Sequence, residues 1–394
     1  MDIAGSGTEM QRVSSKREKS LWFGILDIFR RKERGRVDIP FVLIVTSLVV
    51  IGLVMLLSAS YPYAHFYRDN SYEFFFSQLV FAVIGTTAAF FVSRFDYHHW
   101  HRVALPLLAI AYSLLVLVLF TAKRRWLDLG FTSLQPSEIA KFALIVFLSD
   151  YISRHFKDMH KIGVGFVPPL FVLGAMVGLL MMEPHLSCTV IVCVIAICIL
   201  FIGGINWKVL AVGGVVIAVG LLCLVLFTDV INYAQTRLAY WFDPFSDIQG
   251  DGWQTVQSLY AIGSGGIFGQ GLGNSRQKHL YLPEPQNDFI FAIVCEELGF
   301  IGAMVVILLF AALVWRGFVI AMRSSHRFGK MLGIGLTIQV GLQALLNIGV
   351  VTGFLPNTGI SLPFFSYGGT SLVMLMMQMG IILSISRSSR IEKT

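Results

Sequence analysis

Ten apolar stretches follow one another along this chain, most of them near the 17 to 25 residues, roughly, at which a helix crosses the hydrocarbon of a bilayer. They lie at 39–57, 74–92, 103–120, 139–152, 164–182, 186–202, 209–227, 289–314, 331–354 and 370–385. The fourth is the weakest, being short and carrying Lys141 and Asp150. Only 13% of the 394 residues are charged and 56% are hydrophobic, against about a quarter charged in a soluble domain. Such a chain has too little polar surface for water. Backbone groups in lipid must pair internally, and no alternating ten-residue barrel pattern is present, so the spans are expected to be helices. The expectation is an all-α polytopic membrane protein of about ten transmembrane helices, in one bundle over residues 39–388.

The basic residues set the orientation. With the N-terminus in the cytoplasm, ten crossings return the C-terminus (389–394) there. The inside segments then hold 22 of the 30 Lys and Arg, the outside segments seven, and Lys141 lies in the fourth span. Three of the outer seven form one run, Lys123-Arg124-Arg125. Residues 1–38 make a basic cytoplasmic tail, too long and polar to be a signal peptide. Within it Leu21-Trp22-Phe23-Gly24-Ile25-Leu26, followed by Arg30-Arg31-Lys32, reads either as an interfacial helix on anionic lipid or as a tail without fixed structure. The five cysteines (Cys188, Cys193, Cys198, Cys223 and Cys295) fall in or beside spans with no CxxC, and read as packing residues.

Most connections are short, but residues 228–286 form a loop of 59 residues between the seventh and eighth spans, placed outside by the charge count. It holds Tyr233, Tyr240, Trp241, Phe242, Trp253 and Tyr260 together with eight glycines, so it is expected to be structured and to carry function. A second outer connection, 355–369, is rich in Pro and Gly and is expected to dip back toward the bundle. No internal repeat is evident, which argues against an inverted-repeat transporter.

Asp288 stands where the large loop enters the eighth span. It reads as a helix N-cap, or as a general base at the mouth of a membrane cavity. Arg124, Arg125, Arg237, Arg276 and Lys278 crowd the face that should be poor in cations; each alone reads as a solvated charge, and together they suit a lipid phosphate or diphosphate. Glu138 and Lys141 are spaced to pair on one helix face, as a structural ion pair or as cavity lining. Gln339, Gln343 and Asn347 form one polar stripe, read first as interhelical hydrogen bonding. Glu296 and Glu297 are cavity lining or buried partners. The glycine-rich run 263–273 lacks the strand-loop-helix setting of a nucleotide loop and reads as tightly turning backbone near a substrate.

Several stretches together resemble one family: Arg124-Arg125-Trp126-Leu127-Asp128-Leu129-Gly130, Gln135-Pro136-Ser137-Glu138-Ile139-Ala140-Lys141, Ala261-Ile262-Gly263-Ser264-Gly265-Gly266, residues 278–291 with Glu296-Glu297-Leu298-Gly299, and Pro363-Phe364-Phe365-Ser366-Tyr367-Gly368-Gly369-Thr370-Ser371. The chain is similar over 39–388 to the SEDS proteins (shape, elongation, division, sporulation). Pro356-Asn357-Thr358-Gly359-Ile360-Ser361-Leu362-Pro363 is closer to the division and sporulation branch (FtsW, SpoVE) than to the elongation branch (RodA). One departure is Glu183-Pro184-His185-Leu186-Ser187, where the family usually has Gln-Pro-Asp-Leu-Gly.

The resemblance implies a peptidoglycan glycosyltransferase of the bacterial cytoplasmic membrane that polymerises lipid II at the outer face. It implies work beside a class B penicillin-binding protein and other divisome or elongation proteins; nothing points to nucleic acid. Asp288 matches the family's essential aspartate, and Glu138 and Lys141 match a pair near the central cavity. Arg237, Lys278, Arg124 and Arg125 become candidates for holding diphosphate. The implied reaction inverts the sugar linkage and releases undecaprenyl diphosphate; the resemblance implies no definite cofactor, and leaves a divalent cation open as a further group to neutralise the diphosphate. A carrier that flips a lipid-linked precursor, or a scaffold that activates a partner transpeptidase, are the competing classes.

Overall fold

The computed structural model describes residues 35, 37–68, 70–121, 125–128, 133–183, 186–226, 241–248, 250 and 252–391. The 21–26 segment of the tail, Arg124, His185 and Arg237 lie outside the described residues. Among those described, the elements are α1 (Ile39–Tyr67), α2 (Glu73–Arg94), α3 (His99–Leu119), a two-residue ladder of β1 (Leu127–Asp128) and β2 (Ser133–Leu134), α4 (Pro136–His155), α5 (Val167–Met182), α6 (Leu186–Ile202), α7 (Trp207–Leu226), α8 (Trp253–Gly265), α9 (Ile290–Met322), α10 (Arg327–Val351) and α11 (Gly369–Ile391). The strands pair antiparallel, Leu127 opposite Leu134. Each apolar stretch coincides with one helix, and α8 lies within the large loop. Seven helical segments among the described residues are long and apolar enough to cross a membrane; Ser187–Ile202 is apolar but shorter.

The weak fourth stretch has a physical cause. α4 packs among α3, α6 and α10, and most of its side chains are buried, Glu138, Lys141 and Asp150 included. A helix with little surface toward lipid need not be greasy all round, provided its charges find partners. α11 lies along α2 in close contact, where a Cβ on Gly380 would meet the backbone of Ala89. Asp38 starts α1 by accepting from the Phe41 N–H at 3.2 Å, with Pro40 in the first turn. It also holds Arg316 of α9 through two hydrogen bonds of 2.9 and 2.8 Å.

α9 is not continuous. Gly299 has φ +67 and ψ −168, so the helix breaks there and four backbone groups lose their intrahelical partners. The loop replaces them. The Phe300 and Ile301 N–H groups donate to the carbonyls of Gly266 and Ile267, at 2.9 and 3.2 Å. The Glu296 and Glu297 carbonyls accept from the N–H groups of Gln270 and Gly271, both at 3.0 Å. The glycine-rich run is therefore a strap for a broken membrane helix. Its composition follows from close approach: a Cβ on Gly265 would overlap the Cys295 carbonyl, and one on Gly269 that of Glu297.

The connection after α10 does enter the bundle. Ile360, Leu362, Phe364 and Phe365 are buried. Phe364 and Phe365 stack near Phe310, well inside α9, and a Cβ on Gly52 of α1 would strike the Phe364 carbonyl.

Candidate active site

A cavity of about 580 Å³ opens where the start of α4, the start of α6, the end of the large loop and the 359–371 segment converge. Arg125, Glu138, Lys141, Glu284, Asp288 and Gln343 all line it. Several charged and polar groups thus gather at this hollow within a largely apolar bundle, an arrangement expected of a functional site.

Asp288 precedes α9, but Phe289 holds the N-cap position and that cap has no side-chain hydrogen bond. The N-cap reading of Asp288 is thereby corrected: it sits one residue too early, and its side chain lines the cavity. Its backbone is fixed from two sides. Asn347 Nδ2 donates to the Asp288 carbonyl at 2.7 Å and to the Ile360 carbonyl at 2.6 Å, while the Tyr367 N–H donates to the Gln286 carbonyl at 2.9 Å. Gly359, at φ +67, faces the carboxylate so closely that a Cβ there would stand 3.3 Å from Oδ2. The polar stripe of α10 is therefore divided in its work: Asn347 holds the acid's backbone and Gln343 lines the cavity.

Glu138 and Lys141 do pair, Nζ to Oε1 at 2.7 Å, and both line the cavity. The two readings coexist. Lys141 keeps donors beyond the one used on Glu138. Arg125 lies on the cavity wall, and its Nε donates to the Glu183 carbonyl at 3.4 Å. Glu183, just past the end of α5, is 1% exposed and its Oε1 has no hydrogen-bond partner among the described residues. Burial pushes its carboxyl up to about 8, with Arg125 pulling the other way.

Lys278 departs from the expectation. It does not line the cavity; it is buried, with Nζ 2.8 Å from Glu297 Oε1 and 2.9 Å from Ser58 Oγ. A carboxylate at membrane depth requires a counter-charge, and Lys278 supplies it to Glu297 rather than standing free for a diphosphate. Glu296 is likewise an internal partner. It accepts from Ser275 Oγ, from the Arg276 N–H at 2.9 Å and from the Gln277 N–H at 3.3 and 3.4 Å. The paired glutamates grip the loop rather than line the hollow. Among the described residues, no three His, Cys, Asp or Glu side chains converge as a metal-binding group.

Glu284 was given no role by its sequence context, yet it lines the same cavity as Asp288, four residues later. It adopts φ +43 immediately before Pro285, a conformation costing a non-glycine residue about 1–3 kcal/mol and one the following proline disfavours further. Asn287 Nδ2 donates to its Oε2 at 2.8 Å. The readable signal was the pair of acids flanking one turn at the loop's end.

The model of the FtsW/RodA/SpoVE family, described as cell cycle proteins, matches residues 39–391. The chain belongs to this family. Stage V sporulation protein E of Bacillus subtilis is 41% identical over 360 residues, covering 90% of this chain and 98% of that protein. A probable peptidoglycan glycosyltransferase FtsW of Trichlorobacter lovleyi is 38% identical over 371 residues, covering 92% and 96%. Among solved structures, a chain from a peptidoglycan synthase complex that coordinates polymerization and crosslinking superposes with a TM-score of 0.72 at 26% identity, covering 90% and 98%. RodA, the rod shape determining protein of Thermus thermophilus, gives 0.63 at 26%, covering 89% and 96%. All of these likenesses agree with the family that the sequence motifs implied, and the two sequence relatives agree with the branch.

Proposed function

We propose that this protein is a peptidoglycan glycosyltransferase that polymerises lipid II at the outer face of the cytoplasmic membrane, in division or sporulation. One observation carries the reading: a carboxylate, Asp288, lines a polar cavity in the membrane bundle with its backbone pinned by Asn347. The FtsW relatives named as glycosyltransferases support the activity. The likeness to a synthase complex supports a class B penicillin-binding protein as partner. The distribution of basic residues supports ten crossings with both termini in the cytoplasm.

Asp288 accepts the proton of the acceptor's GlcNAc 4-hydroxyl as that oxygen attacks the anomeric carbon of the donor MurNAc. The new bond joins O4 to C1, the bond from C1 to the diphosphate oxygen breaks on the opposite face, and the α linkage becomes β. Undecaprenyl diphosphate leaves with the electron pair, and the proton passes from Asp288 to outer water. A diphosphate needs little acid help once its charge is met. Arg125 and Lys141 are the cavity cations placed for that among the described residues, with Arg124 and Arg237 further candidates. Glu138 keeps Lys141 oriented.

The test uses purified protein in nanodiscs with labelled lipid II, alone and with its partner transpeptidase. Asp288→Asn is expected to lower glycan synthesis about a hundredfold or more while the protein remains folded. Undiminished glycan chains from that variant would remove Asp288 as base. Lipid II movement across a vesicle bilayer without polymer would favour a carrier, and activity found only in the partner would favour a scaffold.

A further inference from the structure

Two polar clasps join α1 to α9, and their spacing measures the membrane. At one end Asp38 binds Arg316; at the other Ser58 Oγ donates to the Glu297 carboxylate at 2.7 and 2.8 Å. Asp38 and Ser58 are 20 residues apart in sequence (58 − 38), and Glu297 and Arg316 are 19 apart (316 − 297). At about 1.5 Å per helical residue α1 covers roughly 30 Å between its two clasps, and the unbroken part of α9 from Phe300 to Arg316 covers roughly 24 Å, near the roughly 30 Å of the hydrocarbon. Taking Asp38, at the start of α1, as one edge of the hydrocarbon, these lengths put the break at Gly299 near the opposite edge.

The strap from the large loop sits at this depth, fixed to the break by its four backbone hydrogen bonds. Its tip is not polar. Ile267 is 62% exposed, Phe268 81% and Leu272 57%. Ile267 is hydrogen-bonded to Ile301, and Phe300 and Ile301 are themselves exposed at the top of the apolar stripe that α9 continues downward through Val305 and Leu308. Single exposed apolar residues need no explanation. A cluster continuous with a lipid-facing stripe, at the edge of the hydrocarbon, does.

We propose that the turn spanning 266–272 is a membrane anchor, inserting Ile267, Phe268 and Leu272 among the acyl chains of the adjacent leaflet. The occupant is lipid, because the patch continues a surface that must already face lipid and is held at its depth by backbone bonds. The large loop is then partly a membrane element, fixed in height relative to the bilayer. This inference is independent of the catalytic reading.

Photo-crosslinking of the full chain in nanodiscs of phosphatidylethanolamine and phosphatidylglycerol tests it. p-Benzoyl-phenylalanine replaces Phe268, Val305 (a lipid-facing control) or Asp243 (an exposed loop control), and intact-mass spectrometry reads the adducts. Lipid adducts at 268 should approach the yield at 305 and exceed that at 243 at least fivefold. A yield at 268 no greater than at 243, with 305 labelled, would overturn the proposal. So would crosslinking of 268 to a second protein chain instead of lipid in native membranes. The label replaces an aromatic ring with a larger one at an exposed position, and the thermal unfolding of each labelled variant in the same nanodiscs, compared with the unlabelled chain, checks that it remains folded.

Discussion

Asn347 and Asp288 are joined through a single amide nitrogen. Asn347 Nδ2 reaches the Asp288 carbonyl at 2.7 Å and, in the same position, the Ile360 carbonyl at 2.6 Å. One side chain of α10 thus sets the position of the acid and of the segment that faces it. Asn347→Leu leaves both carbonyls without this donor, at about 1–3 kcal/mol for each buried group left unsatisfied. Displacement of the acid by about 1 Å can cost on the order of a hundredfold in rate. The expected outcome is a kcat for lipid II polymerisation lowered at least about tenfold with KM nearly unchanged. A full kcat in a stable Asn347→Leu protein would show that the acid is placed by other contacts.

Gly359 faces the carboxylate of the same acid. At φ +67 any other residue is strained there, and a Cβ would stand 3.3 Å from Asp288 Oδ2. Gly359→Ala is expected to impair polymerisation more than stability, since the added methyl crowds the carboxylate. Comparison of kcat with the melting temperature in detergent separates the two effects. A variant that loses about 10 °C in Tm while its remaining folded fraction polymerises normally would contradict this assignment.

The Lys278–Glu297 pair yields a different signature from a diphosphate ligand. Removing one partner of a buried ion pair costs about 3–5 kcal/mol, because the other charge stays buried and unpaired. Lys278→Met and Glu297→Gln should therefore each lower stability strongly. The double variant should lose much less than the sum, as a double-mutant cycle by thermal unfolding in detergent would register. If Lys278 instead held diphosphate, Lys278→Met would raise KM for lipid II and leave Tm almost untouched.

How much of this was readable beforehand depended on whether the physics was local. The apolar helices, the membrane class and the position of Asp288 at the end of the large loop follow from residues near one another in sequence. Lys278 did not, because its partner Glu297 is 19 residues away and Ser58 is 220, and nothing in its own neighbourhood announces a buried pair. The glycine-rich run reads from its composition as tightly turning backbone, but its partner in the fold does not. Its purpose becomes visible only with the break at Gly299, whose lost hydrogen bonds it restores. Even the weak fourth stretch was informative, since a charged apolar segment is what a helix enclosed by others can tolerate.

Glu183 gives a prediction in pH. Burial raises its carboxyl from an ordinary 4.5 to about 8, against the pull of Arg125. Between those values the folded protein holds the proton and the unfolded chain has released it. The unfolded state then binds fewer protons, so stability falls as pH rises through this window. Below about 4.5 both states are protonated and above about 8 both are ionised, so the contribution of this group is flat outside it. Thermal unfolding in detergent should therefore show Tm declining from about pH 5 to pH 8. Glu183→Gln, which keeps the shape and removes the titration, should flatten that decline. Arg125→Met should extend the decline to higher pH, because the guanidinium is what holds the carboxyl down. A slope unchanged in Glu183→Gln would assign the titration to another group and leave Glu183 ionised beside Arg125 at the cavity wall.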